Sequence, residues 1–414
     1  MRTSTVVATD RTGATHTSEP GQPIDLPLLV TALVLVVFGM IMLYSASWDY
    51  SLAEYGDAGY MFTRQAMWLG FGLVIAAALA LFDYHRWRKL IVPAMGLTIL
   101  LLVAVLLMNE IRLGAKRSLY QGSYQPSELA KLITIVYLSV WLYAKRQSLH
   151  DISLGLIPLG VILGLIGGLI YQQPDLSAAG TLLIMGGLLF FLAGGDLRQI
   201  GFLLVVAVLA GFLVVQISPT GRVRVAEFLA GLRDPTQASY HVQRSYEAIV
   251  NGGVLGVGIG RAESKLTGLP VPPTDSIYAV VVEELGLVGA LALVGLYALL
   301  FWRGLVVARR APDMLGTLLA TGLVLWIGLE AGINMMVMVG LLPFAGNALP
   351  FVSAGGSNLV SSLAAIGILL NISRQRGQSA PEEEGRLDRA TAGVRRWNGR
   401  RRLPRAGRSP SVER

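Results

Sequence analysis

The chain has 414 residues, 53% of them hydrophobic and only 14% charged, against about 25% charged residues in soluble globular domains, so composition excludes a water-soluble fold. Its formal charge of +8 does not indicate nucleic acid, because residues 373–414 hold twelve Arg against five acids and carry seven of the eight charges. The absence of Cys removes disulfides, thiolate nucleophiles and Cys-ligated zinc, and the scattered His16, His85, His150 and His241 argue against a histidine-rich metal site.

In chain order, residues 1–25 are polar and Thr-rich and read as a disordered tail. The apolar run 26–44 is too long, and its flank too acidic, for a cleavable signal peptide, so it reads as the first membrane span. With about 20 apolar residues per crossing, ten spans are predicted: 26–47, 65–82, 90–108, 127–144, 152–171, 176–193, 199–217, 276–302, 313–339 and 356–373. The expected fold class is an all-α polytopic membrane protein, with a membrane domain over 26–373 and a basic, disordered tail over 374–414. Loops 83–89, 145–151, 194–198 and 303–312 carry three, two, one and three Lys/Arg, whereas 172–175 and 340–355 carry none. Positive charge accumulates on cytoplasmic loops, so both termini are expected in the cytoplasm. Loop 109–126, with Arg112, Lys116 and Arg117, runs against this pattern. Gly160, Gly164 and Gly168, four residues apart in one span, predict a close helix contact.

The connection 218–275, expected on the extracytoplasmic face, far exceeds the other loops and shows no clear regular pattern, which marks it as functional or disordered. Its six basic and five acidic residues suit a polar, anionic ligand. The run from Gly252 to Gly260 fails both phosphate-loop templates and reads as a flexible re-entrant loop.

Several polar residues stand where chemistry is possible. Pro272 and Pro273 hold the approach to Asp275 extended, which places its carboxylate at the membrane boundary, where it either caps the next helix or takes a proton from a hydroxyl. Glu283 and Glu284 follow two turns on, with Glu283 nearer the Asp275 face; each is either a buried structural acceptor or part of a site. Around Gln125-Pro126-Ser127-Glu128, Ser127 is a candidate cap, and Lys131 stands three residues from Glu128 on one face. Asp175 is a further candidate cap, and Glu330 and Asn334 share a face deep in the ninth span, where they need partners. The paired Gly355 and Gly356 predict a tight turn before the last span.

Taken together, the motifs resemble the SEDS family (shape, elongation, division and sporulation), which includes FtsW, RodA and SpoVE. They run in order over 25–374: Tyr44-Ser-Ala-Ser47, Arg64-Gln65, Gly114-Ala-Lys-Arg117, Gln125 to Lys131, Gln173-Pro-Asp175, the glycine run, Pro273-Thr-Asp275 with Glu283-Glu-Leu-Gly286, Gly340-Leu-Leu-Pro343, and Leu349 to Ser357. The resemblance implies a glycosyltransferase that polymerises lipid II into glycan strands beside a class B penicillin-binding transpeptidase, among other membrane proteins of the divisome or elongasome. It implies Asp275 as the essential carboxylate and general base in an inverting transfer. It further implies Arg64, Arg117, Glu128, Lys131, Asp175 and Glu283 as substrate-binding positions around a central cavity, with Arg64, Arg117 and Lys131 as the cations for the diphosphate, and it allows a divalent cation, Mg or Mn, at the same place. A bacterial plasma-membrane location follows from it. The sequence departs from the family's habit at Pro273, Ser276, Ser118, Ala354 and Glu330, where His, Phe, Trp, Tyr and Gln are common. The stretch from Gly258 to Pro270 and the charged C-terminal extension lean towards the FtsW branch. A lipid flippase or transporter and a non-catalytic scaffold are the rival readings.

Overall fold

A computed structural model describes residues 24–108 and 125–375. The predicted Arg117 site, the dissenting Arg112 and Lys116, and residues 1–23 and 376–414 of the two tails lie outside them, whereas Asp25 caps α1 and Arg374 ends α12. Nine helices among the described residues are long and apolar enough to cross a membrane, and a tenth apolar helix is shorter. They are α1 (Leu26–Tyr55), α2 (Tyr60–Leu81), α3 (Trp87–Met108), α4 (Pro126–Lys145), α5 (Ile157–Tyr171), α6 (Leu176–Leu192), α7 (Leu197–Ile217), then α10 (Ile277–Arg309), α11 (Met314–Met338) and α12 (Gly356–Arg374), with two further helices between α7 and α10. A π-helical turn over Ile152–Leu156 extends α5 to crossing length.

The inner helices of this bundle differ from the outer ones by the polar side chains they bury, not by greater apolarity. The apolar window of α12 is 89% buried although it carries Ser357, Asn358, Ser361, Ser362, Asn371 and Ser373 on its buried surface. The more apolar window of α7 has none of its residues buried. Lipid is as apolar as a protein core, so an outward-facing helix must be apolar all round, whereas a polar one requires protein partners. The glycines of α5 obey the same logic: a Cβ on Gly160, Gly164 or Gly168 would meet nothing within 4 Å, so the predicted close contact is not made there.

The connection 218–275 is more ordered than its composition indicates. It folds into α8 (Pro219–Gly231), a short 3-10 turn and α9 (Tyr240–Gly252). Ser218 caps α8 by accepting from the Gly221 amide at 3.2 Å, with Pro219 at the first helical position. In α9 the buried Val242, Ser245, Ala248 and Gly252 fall on one face, while Arg244 and Glu247 pair at 2.6 Å on the other. Mixed charge hid this amphipathic period, because hydropathy averages the two faces.

The glycine run has a definite structural partner. Helix α10 breaks at Gly286 (φ 67°, ψ −168°), which frees backbone groups on both sides of the break. The Val257 and Gly258 amides donate to the Glu283 and Glu284 carbonyls at 3.0 and 2.9 Å, and the Leu287 and Val288 amides donate to the Gly253 and Val254 carbonyls at 3.0 and 3.2 Å. Irregular backbone in a membrane protein persists only where such partners satisfy it. The remainder of α10, residues 287–309, spans about 34 Å at 1.5 Å per residue, enough to cross the hydrocarbon core of about 30 Å unaided. Glu283 and Glu284 therefore lie two turns into the short helical segment that precedes the break, on its loop side.

Candidate active site

The site lies at the end of the bundle that carries α8, α9 and the 340–355 connection. Asp275 precedes α10, whose N-cap is Ser276; neither Thr274 nor Asp275 occupies the cap position. Ser276 Oγ donates instead to the Pro270 carbonyl at 2.8 Å. Three consecutive carbonyls are held from outside the segment: Pro273 by the Ala354 amide at 2.7 Å, Thr274 by Ser353 Oγ at 2.6 Å, and Asp275 by Asn334 Nδ2 at 2.9 Å. Ser353 Oγ in turn accepts from the Leu349 amide at 2.8 Å. Gln65 ties the same stretch to α2, donating to the Ser353 carbonyl at 3.2 Å and accepting from the Gly355 amide at 3.1 Å. The half-buried Asp275 carboxylate faces the bare Cα of Gly346, where a Cβ would stand 2.9 Å from Oδ2.

Beneath this mouth the predicted polar positions converge. Lys131 donates to Glu128 at 2.9 Å and to Glu330 on α11. Asn358 Nδ2 bridges the same two carboxylates, at 2.9 Å to Glu128 and 3.4 Å to Glu330. The N-cap of α4 is Gln125, not Ser127. Ser127 Oγ and Gln125 Nε2 donate to Asp175 at 3.4 and 3.1 Å, and Asp175 caps α6 through the Ala178 amide at 3.1 Å, as expected. Glu128, Lys131 and Asp175 thus form one buried region spanning α4, α6, α11 and α12. Arg64, on α2, is half-buried and makes no hydrogen bond or ion pair among the described residues.

Glu283 is placed elsewhere. Its carboxylate accepts from the Glu263 amide at 3.0 Å, the Ser264 amide at 3.3 Å and Ser264 Oγ, so it fastens the loop ahead of α10. Glu284 does the same on the other side, accepting from Ser45 at 2.6 Å and Lys265 at 3.2 Å. The geometry brings Asp275 and Asn334 together and gives the Glu283 carboxylate to the loop.

Arg224 on α8 lies 5.3 Å over the Phe344 ring, and His241 stacks on that ring at 4.0 Å, two residues before Gly346. Burial, helped by the Arg224 charge, pushes His241 down to about 4, so it is neutral at pH 7. Sequence reasoning named none of Gln65, Gly346, Ser353 or Asn358 as a functional residue. The available signal was polar side chains inside apolar helices, which in a membrane must face protein. Among the described residues no group of three or more His, Asp or Glu is placed to hold a metal ion.

Comparison with known proteins shows the family and the fold. The family model described as cell cycle protein, FtsW/RodA/SpoVE, matches residues 26–378. A probable peptidoglycan glycosyltransferase FtsW from Geobacter metallireducens is 37% identical over 362 residues, covering 85% of this chain and 96% of that protein. Stage V sporulation protein E of Bacillus subtilis is 34% identical over 360 residues, covering 84% and 97%. Among solved structures, a chain from a peptidoglycan synthase complex that coordinates polymerization and crosslinking aligns with a TM-score of 0.69 at 27% identity, over 86% of this chain and 99% of that one. The rod shape determining protein RodA of Thermus thermophilus aligns with a TM-score of 0.63 at 26% identity, over 86% and 98%. With the family model covering nearly the whole membrane domain and relatives above 30% identity along almost their full length, the chain belongs to the FtsW/RodA/SpoVE family of polytopic membrane proteins.

Proposed function

We propose that the chain is a peptidoglycan glycosyltransferase that polymerises lipid II, with Asp275 as the general base. The observation that carries this reading is a carboxylate at the mouth of a polar bundle, its backbone held at three successive carbonyls. Asp275 takes the proton of the acceptor sugar's 4-hydroxyl, and the oxygen attacks the anomeric carbon of the polyprenyl-diphosphate-linked donor with inversion. The diphosphate departs with the C–O bonding electrons, so no strong protein acid is required; fixed positive charge stabilises it. Arg64 and Arg117 serve that charge. Lys131, enclosed between Glu128 and Glu330, acts by holding the bundle beneath the site, and Asp175 and Glu128 shape the same floor. A bound Mg or Mn ion would add positive charge against the departing diphosphate, and no step here depends on it.

The named relatives do not favour a flippase or a scaffold. A class B penicillin-binding transpeptidase is the proposed partner, and the Lys/Arg bias of the loops supports a bacterial plasma-membrane protein with both termini in the cytoplasm. Asp275→Asn in the purified chain tests the reaction: a lone base contributes about 10²–10⁴-fold, so lipid II polymerisation should fall by at least the lower figure. Undiminished glycan product would exclude the role, and lipid II crossing the bilayer without product would favour the flippase.

A further inference from the structure

We infer that Asn334 is a positioning residue for the general base, acting through the backbone of Asp275; this rests on the function proposed above. Its amide nitrogen donates to two carbonyls from different segments, Asp275 at 2.9 Å and Asn347 at 2.6 Å. One side chain therefore joins the residue that bears the carboxylate to the segment whose Gly346 forms the wall against that carboxylate. The side chain is 1% exposed, and its own Oδ1 is buried without a hydrogen-bond partner. Only the –NH₂ of an amide can donate to carbonyls. The orientation that serves both carbonyls thus leaves the acceptor unmatched, and the protein tolerates that loss to hold these two loops together.

Asn334 also stands one helical turn from Glu330 on α11, which binds Lys131. The rigid interior of the bundle is thereby connected to the base through a single helix face. The loop ahead of α10 has two further tethers, Ser353 Oγ on the Thr274 carbonyl and the Ala354 amide on the Pro273 carbonyl. Asn334 is the tether that also fixes Gly346 relative to Asp275.

The test uses the full-length purified chain with lipid II. Asn334→Asp keeps the shape but replaces two amide donors with a carboxyl that holds at most one proton, so it cannot serve both carbonyls. Misplacement of a reacting group by about 1 Å costs roughly a hundredfold, so kcat should fall about ten- to hundredfold while KM for lipid II stays within about twofold. Asn334→Gln retains the donors and should recover part of the loss, which keeps the inference testable if the Asp variant folds poorly. A double-mutant cycle separates positioning from general support: in the Asp275→Asn background, Asn334→Gln and Asn334→Asp should lower the residual rate no further. Equal losses in both backgrounds, or a wild-type kcat for Asn334→Asp, would overturn the inference. Normal polymerisation by Asp275→Asn alone would instead overturn the reading of Asp275 as the base.

Discussion

Lys131 on α4 and Glu330 on α11 form an ion pair in the interior of the bundle, with side chains only 4% and 2% exposed. Glu128 shares the same ammonium at 2.9 Å, so two carboxylates depend on one cation. Removing that cation leaves both carboxylates buried without it, and breaking a buried pair costs about 3–5 kcal/mol. Lys131→Met is therefore expected to lower thermal stability by that order. Glu330→Gln removes the surplus negative charge, keeps an acceptor for Lys131, and should stay within about 1 kcal/mol of wild type. Melting curves of the two detergent-purified variants check the contrast.

Gly286 and Gly256 cross so closely that a Cβ on either would meet the other's backbone. Gly286 also has φ 67° and ψ −168°, an essentially glycine-only conformation that costs any other residue roughly 1–3 kcal/mol. Gly286→Ala should destabilise the protein by more than about 2 kcal/mol, because the clash would also break the ladder between 253–258 and 283–288. In the membrane-facing α5, Gly164→Ala should be neutral or stabilising by up to about 1 kcal/mol, since nothing lies within 4 Å and Ala favours helix. Comparing the two melting shifts tests whether glycine works here through crossing backbones or through composition.

Gly346→Ala targets activity rather than folding. The added methyl would lie 2.9 Å from Asp275 Oδ2, so the carboxylate must move. Polymerisation is expected to drop about tenfold or more, with the melting temperature nearly unchanged. Wild-type turnover in lipid II polymerisation would show that the Asp275 carboxylate does not act from this position.

At the other end of the bundle, Asp313 accepts from His85 at 2.9 Å, the Gly316 amide at 2.7 Å and Tyr84 at 3.0 Å, with Arg88 3.8 Å away; Asp83 holds the other His85 nitrogen at 2.8 Å. Burial acts to raise the Asp313 carboxyl, but these hydrogen bonds outweigh it and hold it below the ordinary carboxylate value. The unfolded chain then binds a proton at higher pH than the folded one. The stability this contributes is present above about pH 4 and is lost as pH falls below it. Because Asp313 also holds the His85 imidazole above its ordinary value, the gap in melting temperature between wild type and Asp313→Asn should be widest between about pH 4 and about pH 6.5, shrinking in acid and narrowing again as His85 loses its proton.

The membrane crossings, the odd length of the 218–275 connection and the short list of polar residues were legible in the sequence. Lipid exposure writes itself as unbroken apolarity, as in α7, and a charged or amide side chain amid such runs, as at Lys131, Glu330 and Asn334, declares a need for protein partners. Local spacing also anticipated the Glu128–Lys131 pair and the Asp175 cap, because both are set within one turn of helix. What one-dimensional spacing left open was which partner each group finds across the bundle. Glu283 stood on the Asp275 side of one helix by spacing, yet the Glu263 and Ser264 amides and the Ser264 hydroxyl claim its carboxylate for the loop. Asn334, 59 residues from Asp275, reaches its carbonyl instead. Hydrogen bonds form between groups within about 3 Å in space, and only the folded chain determines which distant segments meet at that range.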